Sequence, residues 1–259
     1  MIDEFRYAKV ARHQRIIEAL GAAPTLRINE LSAALGVSTE TIRRDLCDLD
    51  RRGLIKRTYG GAVRAFAAEP AIAERRRLMV REREAIAAAV SARIRPGEVL
   101  LMGAGATTLQ VAQRIARDHS GLTIVTHAID IVAALGANDS FTVIATPGHF
   151  NRREGHLVGQ DTCTYLDGFI ADHAILGASG ITAEGFSNAE AHAANVYATM
   201  IRRAAATLVV ADHSKFDVRA LRLFGTWTPN VTLATDRCPG DDLAVAIRAG
   251  GATILLAEA

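Results

Sequence analysis

The sequence predicts an α/β protein in two parts: a small helical module with a hairpin at residues 1–64, and a larger domain with a mostly parallel sheet at residues 97–259. Apolar side chains in the first part follow helical spacing and end in a basic hairpin, whereas short buried runs alternate with helical segments from Val99 onward. The charge divides at the same place. Residues 1–64 hold 12 Lys/Arg against 8 Asp/Glu, a net charge of +4, and the rest hold 18 against 20, a net charge of −2.

The overall composition is that of a globular protein. Of 259 residues, 49% are hydrophobic and 22% are charged. No apolar run approaches the roughly 20 residues that span a bilayer, and residues 1–15 lack the apolar stretch of a secretion signal. The three cysteines, Cys47, Cys163 and Cys238, are far apart and odd in number, which favours reduced thiols. We therefore expect a cytoplasmic protein.

Three helices are predicted before residue 53. The first covers residues 8–20 and ends at Gly21. A short extended piece at residues 26–28 precedes a second helix, with Asn29 as its N-cap and an inner face of Leu31, Ala34 and Leu35. Gly36 and Val37 form a tight turn, and Ser38 caps a third helix. The buried positions of that helix recur at i, i+4 and i+7: Ile42, Leu46 and Leu49.

Residues 54–63 form two short strand-like pieces around a Gly-Gly turn. The order of these elements is two helices, a tight turn, a third helix and a basic hairpin. This order predicts a winged helix-turn-helix. With the apolar face of the third helix buried, its first two turns expose groups suited to a duplex: arginine matches guanine O6/N7, and a helix N-terminus favours phosphate. The predicted DNA contacts are Ser38, Thr39, Thr41, Arg43 and Arg44 on this helix, with Lys56, Arg57 and Tyr59 on the hairpin. The alternative is that the two arginines pair with Asp45, Asp48 or Asp50.

Residues 65–96 connect the two parts. The segment from Ala65 to Pro70 is predicted to be a linker, and residues 71–95 a single helix ended by Pro96 and Gly97. The helix carries five arginines, which either add DNA contacts or form a solvated or interdomain face: Arg75, Arg76, Arg77, Arg81 and Arg83.

The second domain is predicted to be a parallel sheet covered on both faces, because buried apolar runs alternate with helices. The predicted strands are residues 99–102, 122–125, 141–145, 174–176, 208–210, 232–234 and 254–256, with helices at 109–116, 129–135 and 190–203. Ligands of such folds bind at the carboxyl ends of strands.

Three loops at predicted strand ends carry polar groups. The loop from Gly103 to Thr108 joins a strand to a helix, so its amides and hydroxyls are suited to a phosphate; tight packing is the alternative. Thr126 and His127 follow the next strand. Residues 211–216 offer a carboxylate, a hydroxyl and a cation, unless Asp212 and Lys215 form a structural ion pair.

The run ELSAALGVSTETIRRDLCDLDRRGLIKRTYGGA at residues 30–62 closely resembles the signature of the DeoR family of bacterial transcription regulators. The runs ILGASGITAEG (175–185) and VVADHSKFDVRALRLFG (209–225) resemble the sensor domain of that family, most closely that of glycerol-3-phosphate regulon repressors. The resemblance implies a mostly parallel αβα sensor domain that is similar to ribose-5-phosphate isomerase and binds phosphorylated sugars or polyols.

The resemblance also implies an effector site at the strand ends, and there the chain departs from the family pattern. The usual Asp-x-Gly-Ser/Thr-Thr is replaced by residues 103–107, the usual Thr-Asn by Thr126-His127, and the usual Gly-Gly by Pro147-Gly148; Tyr197 lies near the place of a usual Lys. The predicted effector-binding residues are Gly103, Gly105, Thr107, Thr108, Thr126, His127, Gly148 and Lys215.

Three functions are compatible with these patterns. The first is an oligomeric repressor of a carbohydrate or polyol catabolic operon, which binds double-stranded operator DNA and is released by a phosphorylated sugar or polyol. The second is a sugar-phosphate isomerase-like enzyme fused to a DNA-binding head, with Glu190, Asp212 and Lys215 as candidates; the missing carboxylate at residue 103 disfavours it. The third is an architectural DNA binder without a sensor. We expect no cofactor and no metal, because no histidine shows HxH or HExxH spacing.

Overall fold

A computed structural model describes residues 9, 11–13, 15–17, 19–20, 25–51, 55–58, 60–64 and 70–257. The chain forms two compact units, residues 1–69 and residues 70–259. Among the described residues, no helix has both the length and the apolar character needed to cross a membrane.

The first unit is a winged helix-turn-helix, as predicted. Residues 9, 11–13, 15–17 and 19–20 are helical, and the following elements are β1 (Thr25–Arg27), α1 (Ile28–Leu35), α2 (Thr39–Arg51), β2 (Ile55–Thr58) and β3 (Gly61–Arg64). The three strands form an antiparallel sheet in the order β1-β3-β2. The core contains the predicted inner residues of α2 together with others: Ile16, Leu20, Leu31, Ile42, Leu46, Leu49, Ile55 and Ala62.

Backbone geometry explains the turn and the wing. Gly36 adopts φ +65°, the left-handed conformation expected at the turn before α2. A Cβ at Gly61 would lie 2.0 Å from the Leu26 carbonyl oxygen, so only glycine lets β1 pair with β3 at this point. Two details of the prediction were wrong. The helix α1 begins at Ile28, one residue before the predicted cap Asn29, and Ala34 is exposed.

The second unit alternates strands and helices. Its helices are α3 (Ile72–Arg75), α4 (Val80–Ser91), α5 (Ala106–Asp118), α6 (Ile129–Leu135), α7 (Gln160–Leu166), α8 (Ala191–Arg203) and α9 (Asp241–Ala249), with a 3₁₀ turn at His213–Lys215. Its strands are β4 (Val99–Met102), β5 (Thr123–Thr126), β6 (Thr142–Ala145), β7 (His149–Asn151), β8 (His156–Val158), β9 (Ala171–Gly177), β10 (Gly180–Thr182), β11 (Gly185–Asn188), β12 (Ala204–Val210), β13 (Arg222–Gly225), β14 (Val231–Thr235) and β15 (Thr253–Leu256).

Seven of these strands form one parallel sheet in the order β15-β14-β12-β9-β4-β5-β6. Each contains or overlaps a strand predicted from an apolar run. Alternate residues enter two separate cores: Leu101, Ala174 and Val209 enter one, and Leu100, Ile175 and Val210 enter the other. Both faces are therefore covered. The strand order reverses between β4 and β9, which is where such sheets open a crevice at their carboxyl ends.

The predicted single helix at residues 71–95 was wrong. Residues 76–79 interrupt it, and Met79 has a left-handed φ of +49°. Arg75 and Arg83 are buried, so these two arginines form neither a solvated face nor a DNA-binding face. The hairpin β7–β8 and the small antiparallel sheet β10-β11-β13 were not predicted, because their short polar strands lack a continuous apolar run.

Candidate functional site

The N-terminal end of α2 is capped by a side chain. Ser38 Oγ accepts a hydrogen bond from the Thr41 backbone N–H at 3.1 Å and lies 2.9 Å from Thr41 Oγ1. This cap satisfies one of the amide groups that a helix start leaves unpaired. Thr39 begins the helix and is partly exposed, as is Thr41. The predicted hydroxyls therefore surround the positive end of the helix dipole.

Arg43 and Arg44 point outward, with 58% and 80% of their side chains exposed. Each pairs with Glu40, at 3.9 Å for Arg43 Nη1 and 3.3 Å for Arg44 Nε. Exposed ion pairs at these spacings contribute only about 0.5 kcal/mol, so Glu40 holds neither guanidinium firmly. The alternative was that the two arginines pair with aspartates of the same helix. For Asp45 the structure shows a different arrangement, because its partners lie on the first helix.

Asp45 is buried at the back of α2 and joins α2 to the first helix. Its carboxylate accepts two bonds from Arg12, at 2.5 Å from Nε and 3.1 Å from Nη2, and lies 3.0 Å from His13 Nε2. The bond with Asp45 raises the pKa of Arg12. This cluster fixes the rotation of α2 and therefore the outward direction of the neighbouring Arg43 and Arg44. This cluster was not predicted from the sequence, although an acidic residue between buried positions of an amphipathic helix is a signal of such pairing.

Arg57 is a cation of the wing whose side chain the structure describes. Arg57 in β2 is exposed, and its backbone N–H donates to Asp50 Oδ1 at 3.2 Å, which ties the wing to the end of α2. Lys56 lies in the same strand. Tyr59 lies outside the described residues, so its predicted contact stays a prediction.

At the carboxyl edge of the large sheet, the loop after β4 turns directly into α5. Gly105 has φ +143° and precedes the first helical residue, Ala106, while Thr108 Oγ1 donates to the Gly105 carbonyl at 2.9 Å. Gly103 lies beneath the ring of Tyr197: a Cβ there would be 2.8 Å from Tyr197 Cε1. A residue larger than glycine at position 103 would therefore require the Tyr197 ring to move.

Both backbone polar groups of Ala104 are bound by side chains. The Ala104 N–H donates to His127 Nε2 at 3.1 Å, and Tyr197 Oη donates to the Ala104 carbonyl at 2.5 Å. Because Nε2 accepts, we assign the imidazole proton to Nδ1, which donates to the Leu157 carbonyl at 2.7 Å. Thr126 is engaged similarly, since its Oγ1 donates to the Met102 carbonyl and accepts from the Ala128 N–H. In this conformation Thr126 and His127 organise the strand-end loops.

His127 belongs to a row of buried polar side chains. Its ring stacks on His156 at a centroid distance of 4.9 Å, and His156 Nε2 lies 2.9 Å from Glu190 Oε2. Burial, followed by the nearby His156, lowers the pKa of His127 from 6.5 to about 3. The hydrogen bond from His156 also lowers the pKa of Glu190, which Asn151 binds from the other side. His127 is therefore neutral and Glu190 is ionised at neutral pH.

We expect the second unit to lose stability as the pH falls below 6.5, because unfolded His127 takes up a proton that the folded imidazole, with a pKa of about 3, does not bind. The contribution of neutral His127 to the free energy of unfolding is complete above the pKa of the unfolded histidine. Below that pKa it falls by up to about 1.4 kcal/mol per pH unit. The free energy of unfolding measured by denaturant titration at neutral and mildly acidic pH tests this. His127→Gln, which keeps an acceptor and a donor, should show a shallower pH dependence; an equally steep one would contradict the assignment.

Gly148 follows β6 beside the β5 loop. It has φ +149°, and a Cβ there would lie 2.2 Å from Thr162 Oγ1, which donates to the Pro147 carbonyl at 2.7 Å. The strands β4, β5 and β6 are neighbours in the sheet, so the loops at residues 103–108, 126–128 and 146–148 are brought together.

Lys215 lies on the opposite side of β4, in the 3₁₀ turn that follows β12. Asp212 begins this turn, is fully buried, and accepts from the Ser214 N–H at 3.2 Å and from Arg83 Nη2 at 3.1 Å. Asp212 is therefore engaged by Arg83. A further pair was not predicted from the sequence: His213 Nδ1 lies 2.6 Å from Oδ2 of Asp236, the residue that follows β14.

Two of the three candidate residues of the enzyme alternative are bound by other protein groups. Asp212 is bound by Arg83 and Ser214, and Glu190 is bound by His156 and Asn151, so each carboxylate is already engaged by protein donors. In the part of the chain that the structure describes, no group of three or more metal-ligating side chains is gathered.

Two family models match the chain. The DeoR-like helix-turn-helix domain matches residues 12–66, and the DeoR C terminal sensor domain matches residues 79–237. Among curated relatives, the glycerol-3-phosphate regulon repressor of Haemophilus influenzae is 35% identical over 216 residues, covering 83% of this chain and 84% of the relative. The HTH-type transcriptional repressor CsqR of Escherichia coli K12 is 30% identical over 230 residues, covering 88% of each.

The chain is also similar to a solved structure. Ribose 5-phosphate isomerase A from Methanocaldococcus jannaschii is 12% identical, with a TM-score of 0.40, over 53% of this chain and 55% of that chain.

Proposed function

The chain belongs to the DeoR family of transcription regulators, and from this premise we propose that it represses a carbohydrate or polyol catabolic operon and is released by a phosphorylated sugar or polyol. The family match assigns it to regulators and not to enzymes. The observation that carries the DNA-binding part of the proposal is the exposed pair Arg43 and Arg44 on the first turns of a capped helix in the helix-turn-helix unit.

The proposed DNA contacts are the predicted ones. Arg43 and Arg44 bind base edges in the major groove, while Ser38, Thr39, Thr41 and the wing cations Lys56 and Arg57 bind phosphates, with Tyr59 beside them. A single recognition helix covers a few base pairs, so two copies of the chain are needed to bind adjacent half-sites about 34 Å apart. The proposal therefore includes a homo-oligomer.

The proposed effector site lies at the carboxyl edge of the large sheet. The first-turn amides of α5, behind Gly105, together with Thr107, provide donors for a phosphoryl group. Lys215 supplies a cation from the far side of β4. The curated relative from Haemophilus influenzae carries glycerol-3-phosphate in its name, which supports a phosphorylated polyol or sugar as the effector class for this chain.

Selection from a random duplex pool tests the DNA-binding part. We expect the purified full chain to enrich one duplex sequence that consists of two related half-sites. The enriched duplex then serves as the operator in later experiments. Enrichment of no sequence, with retention of all duplexes alike, would contradict a sequence-specific regulator and favour the architectural alternative.

A thermal-shift screen tests the effector part. Phosphorylated sugars and polyols are compared with their unphosphorylated counterparts, and we expect stabilisation only by phosphorylated compounds. Ligand at about 100 times its dissociation constant adds about 2.7 kcal/mol to the unfolding free energy. Lys215→Met should reduce the shift, whereas Arg219→Met, which removes an exposed cation paired with Glu184, should not. A shift equal in both variants would remove Lys215 from the site.

A further inference from the structure

Residues 72–83, here called the connector, are the first structured segment of the second unit. Three connector arginines each form an ion pair with an acidic residue on a different segment: Arg75 with Glu154, Arg76 with Asp130, and Arg83 with Asp212. The nitrogen–oxygen distances are 2.6 Å for Arg75 and 3.1 Å for Arg83. The connector is thus bound to three separate parts of the second unit.

All three acidic partners lie at the carboxyl edge of the sheet. Asp130 is in the first turn of α6, just after the β5 loop. Glu154 lies in the β7–β8 turn, and the next residues contact the β5 loop through the His127–Leu157 bonds. Asp212 follows β12 and lies three residues before Lys215. The connector therefore contacts the same edge of the sheet that carries the proposed effector site.

Arg83 is the most buried of the three arginines, with 5% of its side chain exposed, and its partner Asp212 is fully buried. One guanidinium nitrogen donates to the carbonyls of Arg75 and Leu78, at 2.5 Å and 2.7 Å, and the other donates to Asp212. Met79, with its left-handed φ, lies inside the loop that these bonds close. A single side chain thus holds both the kink between α3 and α4 and the loop before Lys215.

A buried guanidinium cannot lose its carboxylate without being left as an uncompensated charge. Displacement of the loop at residues 212–215 must therefore either leave Arg83 unpaired or move Arg83 with the loop, which breaks the bonds that hold the kink. We propose that Arg83 and Asp212 are positioning residues that transmit the state of the strand-end loops to the connector, the segment through which the chain enters from the DNA-binding unit. The inference rests on the proposed function, whose effector would act on these loops.

The test compares two substitutions at the same turn in the full chain. Asp212→Asn removes the charge facing Arg83 but keeps an acceptor for Ser214, and Ser214→Ala removes one bond to Asp212 but keeps the ion pair. Amide hydrogen exchange is measured over residues 72–83 and over β4 and β5, together with the affinity for the selected duplex. We expect Asp212→Asn to speed exchange of the connector about tenfold and to change duplex affinity by about fivefold or more. Ser214→Ala should leave both near the wild-type values.

A purely structural role predicts another result. With such a role, Asp212→Asn would raise amide exchange in β4 and β5 as much as in the connector, or would speed exchange of the connector without changing the duplex affinity. Either result overturns the proposal. If Asp212→Asn does not fold, Arg83→Lys replaces it, because lysine keeps the charge but cannot bind the two carbonyls and the carboxylate with a planar fork. We expect the same local increase in exchange, and an unchanged connector would overturn the proposal.

The outcomes also separate this inference from the proposed function. A wild-type chain that selects no duplex defeats the proposed function, while the exchange measurement still decides whether Asp212 controls the connector. A wild-type chain that selects a duplex, with a connector insensitive to Asp212→Asn, defeats only the inference.

Discussion

Replacement of both Arg43 and Arg44 by alanine is expected to abolish sequence-specific binding of the selected duplex. An arginine that bonds a guanine through two nitrogens contributes about 1–3 kcal/mol of discrimination, so the pair contributes about 2–6 kcal/mol, or roughly 30-fold to 10⁴-fold in affinity. Because both side chains are largely exposed, the fold should be kept. Fluorescence anisotropy with the selected duplex and a scrambled duplex measures the loss.

A matched control separates base contacts from charge. Arg93 and Arg95 are exposed arginines of the second unit, and their replacement by alanine removes the same charge from the chain. We expect this control to bind the selected duplex nearly as well as the wild type. An equal loss in both double variants would mean that α2 does not enter the groove. Glu40→Gln adds a further comparison, because loss of the carboxylate that pairs with both arginines should strengthen binding to phosphate.

Replacement of Asp45 by alanine is expected to destabilise the first unit by about 3 kcal/mol. Removal of one partner from a buried ion pair leaves the other uncompensated, at a cost of about 3–5 kcal/mol. The lower value applies because Arg12 keeps 19% of its side chain exposed. A domain of this size has only a few kcal/mol of stability in total, so much of the variant should be unfolded in this unit.

Circular dichroism during thermal unfolding measures this effect, with the second unit as an internal reference. Glu40→Ala removes one carboxylate from the exposed side of the same helix, where 60% of the side chain is in solvent. Its cost should stay below about 1 kcal/mol. If Asp45→Ala melts like Glu40→Ala, the buried cluster contributes little to the fold.

The fold of the first unit could be predicted because its signals are local. The spacing of Ile42, Leu46 and Leu49, the glycine at the turn and the serine cap all act within a few residues of one another. The partners of Asp45 could not be predicted in this way. Arg12 and His13 lie 33 and 32 residues away from it, and nothing in the helical pattern distinguishes them from the nearby arginines of α2.

In the second unit, apolar runs predicted the strands of the large sheet. The structure departs from the prediction where residues distant in sequence pack together. The break at Met79 has no glycine or proline to mark it, and the bonds from Arg83 that surround it come from the next helix. The roles of Gly103 and His127 depend on Tyr197 and Leu157, which approach only after the sheet has formed. The residue types at the candidate site could therefore be predicted, but not which of them are already engaged.

The strand order of the large sheet also has a consequence for how the chain acquires its shape. The central neighbours β4 and β9 are separated by a long stretch of sequence that contains β5, β6 and the β7–β8 hairpin. Contacts between such distant residues slow folding, because chain entropy must be lost before they form. The helices and wing of the first unit are made earlier during synthesis, and their contacts span shorter stretches of sequence than the pairing of β4 with β9. The ribosome, adding roughly 5–20 residues per second, therefore releases the helix-turn-helix unit of each chain well before the last strand of the large sheet has been made.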